Sequence, residues 1–389
     1  MSKWRLEGRC SAEFACSCVY TMMDGEVGVR KAFGSVVLAA LLVMMAGAAG
    51  AQTAPPETHW YRGNTHTHTV NSDGDSAPDT VARWYKEHDY QFLFITDHEY
   101  LTDPGPLNAI LGASERFLLL PGQEITQWGA DPKRSAAHVN GLFTRAVIWP
   151  VGTRKCLGSG CGATADAAVP LGDTFKANIA AVLAQGGIAQ VNHPNYRWSV
   201  KPEDLFGIPD GTLLEVWNGI GPINNLGGTD DAGDVRPSAE GFWDILLSRG
   251  KIIWGVGSDD AHGFAGPLDP NDAAPGQAWI MVRAPELSSR AIRAAIERGD
   301  FYASTGVTLA EVAADDRALS IVIAEAKSGP QRFITRFIGE SGKLLAEVTG
   351  SHPSYRFQGG EAYVRAAITD SNGKRAWTQP VFRDGRARR

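Results

Sequence analysis

The sequence is short of several things, and each shortage removes a class of function. It has no excess of positive charge: 37 Lys and Arg against 43 Asp and Glu in 389 residues give a formal net charge of −6. The basic stripe that marks a nucleic-acid binder is therefore absent, and the Arg383, Arg386, Arg388 and Arg389 tail reads as solvated charge. The longest apolar stretch, Val36 to Ala46 within Phe33 to Ala51, falls short of the roughly 20 residues a membrane-spanning helix needs. Cysteine is scarce, five in all, and only Cys156 and Cys161 lie beyond residue 51. No Gly-x-Ser-x-Gly elbow is present to carry a nucleophilic serine. Internal repeats and low-complexity tracts are also missing. With 43% hydrophobic and 21% charged residues, the composition is that of an ordinary globular protein.

The apolar stretch follows Arg30-Lys31 and ends in Ala49-Gly50-Ala51, a small-x-small cleavage pattern. This predicts a leader and signal peptide over 1–51 and an exported product, periplasmic or secreted, with no membrane span after cleavage. Residues 1–29 carry mixed charge and Cys10, Cys16 and Cys18, which suits neither a leader nor a domain, so Met22 or Met23 is a candidate start. In an oxidising compartment Cys156 and Cys161, set in a Gly-rich loop, read as a loop disulfide. A zinc site there would need two further ligands that the stretch does not offer.

What the sequence does have is histidine in a particular setting. Gly63-Asn64-Thr65-His66-Thr67-His68 leads into Asn71-Ser72-Asp73-Gly74. On a strand, residues two apart point to the same side, so His66 and His68 can share one ion. Alone, a His-x-His is weak evidence. Of the nine histidines, however, six sit at or near the ends of apolar runs beside an acid, Asn or Gly. Besides the opening pair these are Thr96-Asp97-His98, His138-Val139-Asn140-Gly141, Asn192-His193-Pro194 and Asp259-Asp260-Ala261-His262. Pro121-Gly122-Gln123-Glu124, after Phe117 to Leu120, adds a carboxylate of the same kind. Satisfied core histidines do not cluster in this way. His88 is different: it falls on the stripe Val81, Trp84, Tyr85, His88 and reads as the flank of a helix.

In this order the motifs resemble the PHP family, named for polymerase and histidinol phosphatase. The resemblance covers roughly residues 59 to 305, and the wording Tyr61-Arg62-Gly63-Asn64 and Asn192-His193-Pro194 is similar to the exported group that includes carbaryl hydrolase. It implies an α/β fold, a distorted (β/α)7 barrel, binding two to three divalent ions such as zinc, manganese or iron. It further implies His66, His68, Glu124 and Asp260 around one ion, with Glu124 bridging to a second held by His138 and His193. Asp73, His98 and His262 would hold a third. Asp260 keeps the Asp-x-His spacing, with Asp259 as the alternative. Glu124, Asp260 and His262 are thus expected to serve the reaction, with Arg197 meeting an anionic oxygen of a small-molecule substrate. Trp128 and Trp198, just after ligand positions, read either as pocket walls or as ordinary packing. The implied activity is metal-dependent hydrolysis of a phosphoester. Hydrolysis of a carbamate, carboxylic ester or amide at the same site is the second reading, and metal or ligand binding without catalysis the third.

The rest of the chain alternates strand and helix through residue 305, as a parallel sheet with helical crossovers does. Ser76 is the expected N-cap of the first helix, with Pro78 in its first turn. Two long insertions, 145–174 and 219–237, follow strands and are placed to line the mouth of the site. Residues 52–305 are therefore expected to form the metallohydrolase domain. Residues 306–389, with short alternating runs such as Leu319 to Ile323, read as a small all-β domain in which His352 is structural.

Overall fold

The computed structural model describes residues 57–112, 116–128, 136–157, 160–164, 169–267, 273–325 and 332–383. The expected leader over 1–51 lies outside them, as do Arg386, Arg388 and Arg389. From Pro56 onward the chain is one unit. Its strands are β1 (His59–Asn64), β2 (Phe92–Ile95), β3 (Leu118–Trp128), β4 (Ala136–Leu142), β5 (Thr153–Leu157), β6 (Gly160–Thr164), β7 (Ile188–Val191) and β8 (Leu213–Asn218). They continue as β9 (Gly228–Thr229), β10 (Val235–Arg236), β11 (Trp254–Ser258), β12 (Trp279–Ala284) and β13 (Phe301–Ser304). The C-terminal strands are β14 (Leu309–Ala314), β15 (Ala318–Ile323), β16 (Phe333–Ile338), β17 (Leu344–Thr349), β18 (Ser354–Arg356), β19 (Tyr363–Asp370), β20 (Arg375–Thr378) and β21 (Val381–Phe382).

The fold is mixed α/β, built on one large sheet whose path runs β11-β8-β7-β4-β3-β2-β1-β12-β13-β20-β19-β16-β17. Parallel pairing holds β1 to β2, β2 to β3, β7 to β8 and β8 to β11. The strand β2, Phe92-Leu93-Phe94-Ile95, is buried throughout, the continuous apolar run that a parallel strand covered on both faces requires. Gly63 in β1 is forced by this packing, because a Cβ there would lie 2.1 Å from the Phe92 ring.

The closed (β/α)7 barrel is not what these strands make. β4 pairs antiparallel with both β3 and β7, and β1 pairs antiparallel with β12, which carries the sheet on through β13 into the C-terminal strands. The free edge of β1 is thereby taken, and between the continuations of β1 and β11 there is only the isolated bridge Thr67–Ala261. Helices are correspondingly few among the described residues: Pro78–Glu87, Pro104–Leu111, Leu171–Ala184, Ala239–Ser248 and Ser289–Arg298.

Local chemistry explains most element ends. Ser238 and Ser288 cap their helices by accepting from Gly241 N and Ala291 N, and Gly299 closes the last helix at φ 74°. Ser76 does not cap: Pro78 occupies the first helical turn, which makes Ala77 the capping residue in extended geometry with no side-chain bond. The insertion 145–174 contributes the β5–β6 hairpin, where Cys156 is disulfide-bonded and faces Cys161 across the strands. The second insertion contains the short β9–β10 ribbon. The C-terminal strands gather a core of their own around Leu319, Ile321, Phe337, Ala366 and Ile368. No described helix is long and apolar enough to cross a membrane.

Candidate metal centre

Strands β3 and β4 and the turns that follow β1, β2, β7 and β11 bring nine side chains together, and their donor atoms form three adjoining groups. These are His66, His68, Glu124 and Asp260; Glu124, His138 and His193; and His68, Asp73, His98 and His262. Within each group one atom per residue lies within 4.8 Å of all the others. The sequence reading puts His68 in the first group alone, whereas the fold shares it between the first and the last.

Each member is placed by a distinct piece of backbone. His66 and His68 continue beyond β1, where Asp260 N donates to His66 O and His68 N to Ala261 O, each at 2.9 Å. His98 follows β2 and bridges to Glu124. Glu124 does not end a strand as expected; β3 runs on to Trp128 and pairs Glu124 with Asn140 and Thr126 with His138 on β4. His193 follows β7 at φ 25°, and Asp260 follows β11 at φ 52°. Left-handed backbone at a non-glycine residue costs energy, and such residues concentrate at functional sites.

The two oxygens of Glu124 face different neighbours. Oε1 lies 3.0 Å from His138 Nδ1 and 3.5 Å from His193 Nε2, while Oε2 lies 3.2 Å from His66 Nε2, 3.4 Å from His68 Nε2 and 3.3 Å from His98 Nδ1. Asp260 Oδ1 sits 3.2 Å from His66 Nε2 and 3.1 Å from His68 Nε2. Asp73 reaches His98 Nε2 and His262 Nε2, each at 3.4 Å. Asp73 and His262 are the most open members, with side chains 37% and 25% exposed, so the cluster meets solvent on their side.

The doubled acid is resolved by hydrogen bonding. Asp259 is turned away from the cluster and accepts from five donors: Asn64 Nδ2, Tyr85 Oη and the amides of Gly276, Gln277 and Ala278. Asp260 faces the imidazoles. His88 lies apart, stacked 3.8 Å from Trp84 on its helix. Arg197 is exposed, lies 5.0 Å over the Tyr196 ring, and lines a surface cavity of about 380 Å³ with Trp198, Asp204 and Asp230. It is not part of the three groups. Trp128 meets His138 edge-on at 5.1 Å.

Sequence reasoning missed Glu215. It stands inside β8, where Leu213-Leu214-Glu215-Val216 reads only as an apolar run, yet it is a hub. It accepts from His66 Nδ1 at 2.7 Å, from His193 N at 2.6 Å and from Asn218 Nδ2 at 2.9 Å, and Ser258 Oγ also donates to it. With Nδ1 given to Glu215, His66 presents Nε2 to the cluster. Asn192 and Asn218 play the same part for Glu124 and Asp260, donating at 2.8 Å and 3.1 Å. Its neighbours out to two positions, Leu213, Leu214, Val216 and Trp217, are all apolar or aromatic, so the local pattern held no signal for it.

Electrostatics show what the cluster needs. Burial opposes charge on Glu124 and Asp260, but the surrounding imidazoles outweigh it and hold both carboxyls well below the usual range. His66 is the converse: burial opposes its proton, and Asp260, Glu124 and Glu215 together retain it. His98 is raised to about 10 against burial, by Glu124 and Asp73. His68, buried beside His262 and His98, is lowered to about 4. Burial, with the Glu124 charge adding to it, pushes Glu99 up to about 8. Protons on histidines thus offset buried carboxylates, a role that a divalent cation fills with the same donor atoms. His138 Nε2 is buried with no hydrogen-bond partner, as expected of an atom whose partner is an ion. Mixed imidazole and carboxylate donors suit zinc, manganese or iron.

No family model matches the chain, and no curated protein matches it. Solved structures do. A two-domain protein from Bacteroides vulgatus, described as containing a PHP-like metal-dependent phosphoesterase by prediction, is 16% identical, with 82% of this chain and 92% of that one covered at a TM-score of 0.44. A provisionally described metal-dependent phosphoesterase from Bifidobacterium adolescentis is 18% identical over 55% of this chain and 91% of its own, at a TM-score of 0.33. An amidohydrolase from Chromobacterium violaceum is 15% identical over 54% and 93%, at 0.34. Two of these neighbours are thus described as metal-dependent phosphoesterases and the third as an amidohydrolase. The chemistry below rests on the donor set of this chain.

Proposed function

We propose that this chain is a metal-dependent hydrolase of the PHP type that acts on phosphoesters and holds two to three divalent ions in the three groups. The observation that carries the reading is the division of Glu124: its two carboxylate oxygens face separate sets of imidazoles, as a group shared between neighbouring cations must. Bound divalent cations would supply Lewis acidity, making hydroxide available at neutral pH and offsetting charge on the attacking and leaving oxygens.

The chain's own residues prepare that chemistry. Glu215 fixes His66, Asn192 fixes Glu124 and Asn218 fixes Asp260, so the donors need little rearrangement on loading. His138 and His193 are each about 95% buried, while the more open Asp73 and His262 leave the cluster accessible to an anionic substrate. Arg197, on the exposed turn that follows His193, would meet the substrate's outer oxygens in this reading.

Purified protein assayed on an aryl phosphomonoester, a phosphodiester, a carboxylic ester and a carbamate, with zinc, manganese or iron added in turn, tests the proposal. Phosphoester turnover that a chelator abolishes, with two or three ions by elemental analysis, is the expected result. Turnover of the carboxylic ester or carbamate alone would select the second reading. No turnover by metal-replete protein would leave a binding protein.

A further inference from the structure

The two long insertions do the same thing from opposite ends of the chain order: each fixes one aromatic ring beside the His138–His193 pair. The first insertion supplies β6, whose Ala163 and Thr164 pair with Gln127 and Trp128. A Cβ on Gly162 would lie 2.8 Å from the backbone Thr126 O and 3.1 Å from Trp128 Nε1, so glycine lets β6 approach β3 this closely and leaves the indole its place. The second insertion receives Asn195, a buried side chain whose Nδ2 donates to Asn224 O at 3.1 Å and Pro237 O at 2.9 Å. Tyr196 is the next residue, on a turn where His193, Arg197 and Trp198 all have positive φ, of 25°, 50° and 55°.

The rings so fixed converge. Trp128 stands 5.1 Å from the His138 ring, and Tyr196 stands 5.3 Å from His193 and 6.2 Å from His138. Both remain half-buried, so each keeps part of its surface free after packing on the histidines. Aromatic contacts on the opposite side of the cluster are different in kind: His68 stacks on His262 at 4.1 Å and lies 4.7 Å from His98, imidazole on imidazole. The site is therefore asymmetric, with an open polar side at Asp73 and His262 and an aromatic side at His138 and His193.

We propose that the substrate carries a planar aromatic group, which lies against Trp128 and Tyr196 while its anionic head meets the cluster. The proposal deepens the hydrolase reading, since it takes the cluster as the place where the head group binds. It also assigns the insertions a use: they select the organic part of the substrate by holding the two rings. Offset or edge-to-face contact of one added ring with these two supplies about tenfold or more in affinity over a methyl group.

Calorimetry on the metal-loaded full chain decides the question, with phenylphosphonate, methylphosphonate, benzoate and acetate as probes. The expected result is that phenylphosphonate binds about tenfold or more tighter than methylphosphonate. The phenyl-to-methyl ratio should fall toward one in Trp128→Ala and in Tyr196→Ala, and survive in Tyr196→Phe, which keeps the ring face. Elemental analysis of each variant identifies any that has lost the centre, and either alanine variant alone suffices. A phenyl preference seen with the carboxylates and not the phosphonates would retain the aromatic wall and remove the phosphoester reading. Equal binding of phenyl and methyl probes with both head groups, or a ratio unchanged in the alanine variants, would overturn the wall itself.

Discussion

Arg365 and Glu124 are both buried charged side chains, 0% and 1% exposed, and they are neutralised in different ways. Arg365 finds all its partners within the chain: Nε and Nη2 form a fork on Asp244 at 2.8 Å and 2.6 Å, and Nη1 reaches Glu240 at 2.8 Å. Tyr363 adds a donor to Asp244 at 3.0 Å. The pairing ties the helix Ala239–Ser248 to β19 and fixes every charge to a residue that cannot leave. Glu124 faces imidazoles and the neutral amide of Asn192, so its positive partners are groups whose charge depends on protons drawn from solvent. A self-contained buried ion cluster is architecture, whereas one whose positive charge must be imported is a site.

The largest expected effect breaks the imported half. Glu124→Gln keeps shape and removes the shared anion, so metal content should collapse and turnover fall by roughly a thousandfold or more, with the circular-dichroism spectrum retained. Wild-type metal content and rate in this variant would end the bridging assignment. Breaking the self-contained half should do the reverse. Arg365→Met leaves Asp244 and Glu240 without a counter-charge and should cost about 3–5 kcal/mol of stability in denaturant titration, while ions per folded molecule stay unchanged. Parallel loss of metal would show that the two regions are one.

Smaller changes sharpen the contrast. Glu215→Gln should weaken metal affinity by about 10–100-fold, as loss of an orienting partner does; competition with a fluorescent chelator measures it, and an unchanged constant would make Glu215 merely a packing group. In metal-stripped protein, His98 is raised to about 10 and Glu99 to about 8. Groups raised above their unfolded values stabilise below those values and lose the contribution as pH rises through the folded ones. Metal-stripped protein should therefore lose roughly 5 °C or more in Tm between pH 7 and pH 10, a slope that metal flattens. His88→Gln should change neither metal content nor rate, and stability by no more than about 1 kcal/mol, because the His88 ring lies apart from the cluster, stacked on Trp84 and bonded through Nδ1 to Trp84 O at 2.7 Å.

The distribution of what could be read from the sequence follows from distance along the chain. His66, His68, Asp73, His98, Glu124, His138, His193, Asp260 and His262 all sit in short local motifs in or beside apolar runs, so residue type and spacing pointed to them, and the fold brings the nine together. The choice between Asp259 and Asp260 required the backbone: the positive φ at Asp260 turns it inward while three amides hold its neighbour outward. Glu215 and the Arg365–Asp244 pair, 121 residues apart, had no local pattern to betray them. The cap of the first helix was misplaced by one residue, at Ser76 in place of Ala77, but the alternation of strand and helix was legible. The failure of the sheet to close was not, because the antiparallel turn of β12 onto β1 depends on partners some two hundred residues distant.

The single bridge at Thr67–Ala261 has a kinetic meaning. Among the described residues it is the one bridge pair between the segment carrying His66 and His68 and the segment carrying Asp260 and His262, with Asp75 N donating to His262 O further on, and His68 and Asp260 are 192 residues apart. During synthesis the first pair of histidines leaves the ribosome long before its carboxylate partner exists, so the centre assembles late, at the cost of closing a long loop. Once loaded, an ion held by both segments acts as a rivet across this seam, and the seam can breathe only as fast as the ion departs. Amide exchange at His68, whose proton is held by Ala261 O, should slow as metal is added and follow the dissociation rate of the ion.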